Sequence, residues 1–342
     1  MKKYNQLPDP CNLDKQSIVD VLLREEYGYL PSAPYSVTAT LEKCEQNFCA
    51  RKAYFKILTL HCKADFGEFS FPVYYTCPRD RLDPVPCFIH INFRDLIPDR
   101  CQPTEELVDE GYATLTFCYK DVTSDDGDFT NGLAGVVYPD GKREADQCGK
   151  IGLWAWAAMA VMDYAQTLPE LDHGNISVVG HSRLGKTALL TGALDERFYC
   201  AFSNDSGCSG AALSREKSGE TIAKIIDKFH YWFCENYKKY IGNEEALPFD
   251  QHWLIAANTP HKVYVASAEM DSWACPENEY MACVYASEYY KNKTGKGFIH
   301  PDRMPNVNEC FHGGNIGYHL RAGTHYLSRD DWHYYIEYLR NH

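Results

Sequence analysis

The sequence predicts an α/β fold: a three-layer sandwich in which helices cover both faces of a mostly parallel central sheet. Three observations lead there. From residue 150 onward, short apolar runs of strand length alternate with stretches of helical periodicity, the pattern left by parallel strands joined through helical crossovers. Residues 35–77 instead alternate apolar and polar positions, as in Ala53-Tyr54-Phe55-Lys56-Ile57-Leu58, which reads as antiparallel strands. Finally, 342 residues with 45% apolar and 24% charged content lie in the globular range and suffice for one large core. Residues 1–342 are therefore expected to form a single domain, with the N-terminal helix and the antiparallel strands of residues 1–84 contributing to the same sheet.

Taken in order, residues 14–30 place Ile18, Val21, Leu22 and Tyr27 near helical spacing. Buried strands are expected at 85–93 and 113–119, where apolar residues run almost without a break. The Asp- and Gly-rich stretch 121–149 reads as a long surface loop and a rim for a site. The alternation then gives a helix over 150–167, a strand over 176–179, a helix from 184 and a strand over 199–203. A helical stretch at 220–240, a strand at 263–268, a helix over 278–291, a strand at 316–321 and a closing helix from Asp330 complete the chain.

Charge and composition exclude several functions. A formal charge of −13 without a basic run disfavours nucleic-acid binding, which draws most of its affinity from clustered Lys and Arg. No 18-residue apolar span suggests a membrane helix, and no apolar segment follows Lys2 and Lys3 as a signal peptide requires. The fifteen cysteines include no C-x-x-C pair and fall in segments that read as core. They are expected to be reduced thiols of a cytoplasmic protein, with no metal and no cofactor. A monomer is the favoured state.

One segment carries chemistry. Ile176-Ser177-Val178-Val179-Gly180-His181-Ser182-Arg183-Leu184-Gly185-Lys186-Thr187 is a strand, a tight turn and a helix start. From Gly180 it satisfies the phosphate-loop pattern G-x-x-x-x-G-K-T, with Asp205 or Asp271 as an imitation of a magnesium-binding aspartate. Around Ser182 it resembles a nucleophile elbow, although glycine follows the serine at three residues instead of two. An elbow requires an acid and then a histidine downstream, each just past a strand. The 263–268 strand runs into Glu269, Asp271 and Trp273, and the last strand is followed by Gly323-Thr324-His325. That order is the one used by α/β-hydrolases, with Ser182 as nucleophile and His325 as general base. His319, within the strand, and His312, in a Gly-rich loop, compete with His325. Glu269 and Asp205 compete with Asp271.

On the segment Gly180-His181-Ser182-Arg183-Leu184-Gly185-Lys186 the chain resembles the glucuronoyl esterase family of carbohydrate esterases, whose nucleophile motif is G-x-S-R-x-G-K. The resemblance extends over 204–211, Gly219-Glu220-Thr221, Tyr231-Trp232-Phe233, Asp271-Ser272-Trp273 and 318–332, and so covers roughly residues 150–342. It implies a metal-free serine esterase cleaving 4-O-methyl-glucuronoyl esters, with the acid at Asp271 or Asp205 and sugar contacts from Lys186, Glu220 and Trp273. Asp271 holds the usual hydrolase position. The loop Arg94-Asp95-Leu96-Ile97-Pro98 offers no glycine pair to stabilise an oxyanion, so the Arg183 side chain is expected to help. The expected partner is a carbohydrate ester derived from glucuronoxylan. An acetyl xylan esterase or another carboxylesterase is the nearest alternative, and a phosphate-loop nucleotide-binding protein the distant one.

Overall fold

A computed structural model describes Tyr4 and residues 6–342. Among the described residues ten strands form one sheet: β1 (Ser36–Phe48), β2 (Ala53–Ala64), β3 (Gly67–Pro78), β4 (Val85–Asn92), β5 (Ala113–Cys118), β6 (Leu171–His181), β7 (Cys200–Asn204), β8 (Lys262–Ala268), β9 (Glu309–Phe311) and β10 (Ile316–Arg321). Their spatial order is β1-β2-β3-β5-β4-β6-β7-β8-β10-β9. The six strands from β5 to β10 in that order pair in parallel. The antiparallel strands β1–β3 extend the sheet on one side, and β9 closes the other. This is the α/β-hydrolase fold.

The layers follow from the two-residue period of a strand, which sends successive side chains to opposite faces. Ile89, Val178, Val263 and Val265 enter the larger core, and their neighbours Phe88, Val179, Tyr264 and Ala266 enter the smaller one. The larger core is covered by α1 (Lys15–Leu22), α5 (Lys150–Ala165), α6 (Arg183–Leu194), α8 (His252–Ala256) and α9 (Pro276–Thr294). The smaller core lies under α2 (Thr104–Asp109) and α10 (Arg329–Arg340), which contributes Trp332, Tyr335 and Tyr338. Short helices α3 (Tyr119–Val122), α4 (Gly132–Val137) and α7 (Ile222–Phe229) lie in the connections. Helix α10 starts at a capping box in which Ser328 and Asp331 bond each other's backbone amides, satisfying two donors that a helix start leaves open.

Besides α2, α8 and β9, which the sequence reading does not place, three stretches differ from it, and in each a polar side chain with distant partners overrides local propensity. The helix expected over 14–30 is α1, capped by Asp14, followed by a π-helical turn at Leu23–Tyr27. Within that turn Glu25 accepts from Lys239 and Tyr240, and buried Glu26 accepts from Gln251 Nε2. The helical stretch at 220–240 breaks into α7 and two 3-10 turns, which brings Tyr231 and Trp232 onto Asp125. The 121–149 stretch is not a plain surface loop. It holds α4 and buries Phe129, Leu133 and Cys148. Lys150 Nζ, fully buried, donates to Thr123 Oγ1 (2.8 Å) and to the Asp128 carbonyl (2.6 Å) and so ties this segment to the start of α5. Burial lowers the Lys150 pKa to about 8.

Helix α6 packs so closely on β6 that Gly180 has no room for a side chain, since a Cβ there would lie 2.1 Å from the Leu184 carbonyl oxygen. Gly180→Ala is accordingly expected to cost about 1–3 kcal/mol, the usual scale of overpacking. A lowered urea midpoint with an unchanged m-value is the readout.

Candidate active site

Parallel strands deliver their C-terminal ends to one edge of a sheet, and in open α/β sheets that edge is where sites form. Four candidate residues lie there: Ser182 after β6, Asp205 after β7, Asp271 after β8 and His325 after β10. Ser182 has φ 59° and ψ −126°, a sparsely populated conformation costing about 1–3 kcal/mol for a residue with a Cβ. Its amide donates to the Asn204 carbonyl (2.8 Å), and its own carbonyl accepts from the Gly185 and Lys186 amides (2.9 and 3.2 Å). A phosphate loop needs its amides turned toward an anion. Here those of residues 182, 185 and 186 are already bonded, which leaves the Arg183 and Leu184 amides at the helix start without a backbone acceptor among the described residues.

His325 Nδ1 lies 2.6 Å from Asp271 Oδ2. A carboxylate only accepts, so Nδ1 carries a proton, and in the neutral ring Nε2 keeps its lone pair. Burial alone would raise the Asp271 carboxyl, but the hydrogen bond from His325, its charge and the Ala274 amide outweigh this and hold it below the usual carboxylate range. Ser182 and His325 line one cavity of about 230 Å³. No hydrogen bond joins the Ser182 hydroxyl to the imidazole, a contact that commonly tightens only with substrate in place.

His181 packs against His325, with ring centroids 4.4 Å apart and the ring planes tilted by 45°. Its Nδ1 is 2.6 Å from Asn204 Oδ1, and burial together with the neighbouring His325 lowers its pKa to about 3. The second imidazole is therefore a neutral wall at working pH and does not compete for the Asp271 proton acceptor.

Asp205 is differently engaged. Its Oδ1 accepts the Ala268 amide (2.8 Å), and its Oδ2 accepts Arg321 (3.2 Å) and the Tyr326 amide (3.3 Å). It therefore braces the segments that carry Asp271 and His325, although the ligating atoms of all three lie within 4.8 Å of one another. Burial, with Glu279 and Asp331 nearby, raises the Asp205 carboxyl well above its ordinary value. Arg321 also holds Asp331 through Nε, at 2.9 Å from both carboxylate oxygens, and Asp331 accepts in turn from His319 Nε2 (2.8 Å). His319 is thus a fully buried structural histidine. Glu269, the other competing acid, donates its amide to the Arg321 carbonyl.

The opposite wall is polar and aromatic. The Arg183 guanidinium lies 4.6 Å from the Trp232 ring centroid and is paired through NH1 with Asp125 Oδ2. Asp125 also accepts from Tyr119 (2.9 Å) and from Trp232 Nε1 (2.8 Å). Lys186, 3% exposed, donates to the Ser206 carbonyl and lies 3.8 Å from Glu220, which accepts from Trp273 Nε1 (3.1 Å). Burial lowers the Lys186 ammonium, partly offset by Glu220. Glu220 precedes α7, whose N-cap is Thr221, so it is not the first-turn carboxylate that its spacing also allows. Trp273 remains 43% exposed at the mouth.

A model described as "Glucuronyl esterase, fungi" matches residues 61–294. The carbohydrate esterase MZ0003 of an unknown prokaryotic organism is 40% identical over 240 residues, covering 70% of this chain and 55% of that protein. The chain belongs to the glucuronoyl esterase family. Another member, the 4-O-methyl-glucuronoyl methylesterase of Podospora anserina, is 28% identical over 73% of this chain and 50% of its own length. This chain thus spans about half the length of the first curated relatives it matches. Solved structures align nearly end to end. A promiscuous family 15 carbohydrate esterase from a marine bacterial metagenome has a TM-score of 0.88 at 29% identity, covering 100% of this chain and 98% of that one. The glucuronoyl esterase of Solibacter usitatus has a TM-score of 0.88 at 27% identity, covering 99% and 98%.

Of the residues singled out in the sequence, Ser182, Arg183, Lys186, Asp205, Glu220, Trp273 and His325 all line this cavity, and Asp271 stands behind the imidazole. Asp125 and Trp232 were not assigned. The Asp-rich character of 121–149 marked a rim, but no spacing tells which of its aspartates reaches Arg183.

Arg321→Met leaves Asp205 and Asp331 buried without their cation and is expected to cost about 3–5 kcal/mol of stability. The loss is largest at neutral pH, because the pairing holds Asp331 below its ordinary value and so stabilises only while that carboxyl is ionised. It narrows as the pH falls below the unfolded carboxylate value of about 4. Denaturant melts of both proteins at neutral and acid pH measure it.

Proposed function

We propose that this chain is a serine esterase hydrolysing carboxylic esters of a carbohydrate, with 4-O-methyl-glucuronoyl esters as its substrates. The observation that carries the reading is the His325–Asp271 pair facing the same cavity as a serine held in an elbow conformation. In this reading Ser182 Oγ attacks the uronoyl carbonyl carbon while His325 Nε2 takes the hydroxyl proton, and Asp271 steadies the imidazolium. The carbonyl electron pair moves onto oxygen. As the intermediate collapses, the alcohol leaves with the proton from His325, and a glucuronoyl ester of Ser182 remains. Water then repeats the sequence, with His325 as base, to release the free uronic acid.

The oxyanion needs donors, and the Arg183 amide at the N-terminus of α6 supplies one, assisted by the helix dipole. The guanidinium of the same residue supplies another: Asp125 holds its NH1, whereas its Nε has no acceptor among the described residues. Lys186, Glu220 and Trp273 are suited to the sugar ring, because a charge pair donates to and accepts from hydroxyls while an indole covers an apolar ring face. The names of the relatives favour uronoyl over acetyl esters. The promiscuous relative makes acetylated xylan the necessary comparison substrate.

The deciding experiment is an ester panel, methyl and aryl glucuronates against acetylated xylan, with wild type and Ser182→Ala. Turnover of the uronates with an acyl-enzyme burst that disappears in Ser182→Ala supports the proposal. Activity on acetate alone overturns the substrate, and full activity of the alanine variant overturns the mechanism. Arg183→Ala is expected to lower kcat by about 10²–10³ with little change in KM. Asp125→Asn, which keeps the guanidinium but loosens its hold, should fall between that variant and wild type in steady-state kinetics.

A further inference from the structure

At the far edge of the sheet, away from the catalytic cavity, three side chains of different chemistry converge. Cys310 lies on β9, and His312 follows immediately past its end. Two residues apart on extended backbone, their side chains face one side. Glu337 approaches from α10. One donor atom from each lies within 4.8 Å of those of the other two. Residue 310 pairs with His319 and residue 311 with Tyr318 across the antiparallel β9–β10 ladder, so the chain at His312 runs toward the start of β10, whereas His325 follows its end.

We propose that Cys310, His312 and Glu337 form a binding site for a divalent transition-metal ion of the zinc class, with the fourth position open to solvent. A thiolate, an imidazole and a carboxylate are the donor set such ions take in tetrahedral sites. Cys310 and His312 are half-buried, and Glu337 is exposed, so the ion has a path in. Among the described residues no hydrogen bond or ion pair engages the Glu337 carboxylate, and the Cys310 thiol meets only its own backbone amide.

The third donor is set by proton bookkeeping behind it. Asp331 only accepts, so His319 Nε2 carries a proton (2.8 Å), and in a neutral ring His319 Nδ1 must accept from the Tyr264 hydroxyl (3.0 Å). The Tyr264 oxygen then accepts from His312 Nε2–H (2.8 Å), which leaves the lone pair on His312 Nδ1. Metal-binding histidines characteristically donate their other N–H to such a partner, which fixes tautomer and ring orientation. Binding transfers the Cys310 proton to solvent as the sulfur–metal bond forms. The spacing rules that argued against a metal in the sequence do not reach this arrangement, because the third ligand arrives from a helix 25 residues after His312.

The test uses the reduced, metal-free full chain titrated with Co2+ and then with Zn2+. One equivalent of Co2+ is expected to produce a thiolate-to-cobalt charge-transfer band that Zn2+ displaces. Cys310→Ser should abolish the band, and Cys44→Ser, at an exposed thiol, should leave it intact. The surface substitution Glu337→Gln should weaken binding without unfolding the chain. Tyr264→Phe, which removes the partner of His312, should weaken it by roughly 10–100-fold. A wild type without the band at stoichiometric metal, a band that survives Cys310→Ser, or an affinity unchanged in Glu337→Gln overturns the proposal.

Discussion

One guanidinium ties together the sheet edge that carries the cavity. Arg321, at the end of β10, reaches Asp331 on α10, Asp205 after β7 and the carbonyls of Thr324 and Tyr326 in the loop that carries His325. Burying a cation beside two buried carboxyl groups is costly, and its worth lies in geometry: leaving would strand the Asp331 charge and take a donor from Asp205. Asp205, held this way, accepts the amides of both Ala268 and Tyr326. The loops bearing Asp271 and His325 are thereby set against each other, and their 2.6 Å hydrogen bond is a consequence of that bracing. The sheet supplies the common edge, and this ion network sets how the two loops meet on it.

A second, smaller anchor serves the other wall. Lys150 holds the 123–128 segment from below, that segment presents Asp125, and Asp125 gathers Arg183, Tyr119 and Trp232 at one carboxylate. An arginine over an indole and fixed by a bidentate-capable partner loses little freedom when a developing anion appears beside it. Both walls therefore use buried polar groups to position flexible side chains, a use of polarity that costs stability and confers order. The fifteen cysteines take no part in this bracing, since none forms a disulfide.

The fold was legible where a period decided it. Alternation over β2 and β3 and the strand–helix rhythm after residue 150 reflect which faces are buried, and burial is written in residue type. That Ser182, Asp271 and His325 share one sheet edge was legible because each follows a parallel strand, and such strands deliver their ends to the same edge even when the residues are far apart in sequence. Boundaries failed where a single polar contact outweighed propensity. The π-helical turn at Leu23–Tyr27 follows from buried Glu26, and the break after α7 follows from the reach of Trp232 to Asp125. Neither partner is near in sequence, so no local window carries the signal.

By itself the sequence determined the fold class, the elbow and the set of side chains able to do ester chemistry, because strand period and motif spacing are local properties. Only the tertiary structure decided which carboxylate meets His325, that Asp205 serves as a brace, that Asp125 pairs with Arg183, and that Cys310, His312 and Glu337 share one corner. Each of those is a contact between segments brought together by strand order, and strand order is set by packing across the whole sheet, beyond the reach of any short stretch of chain.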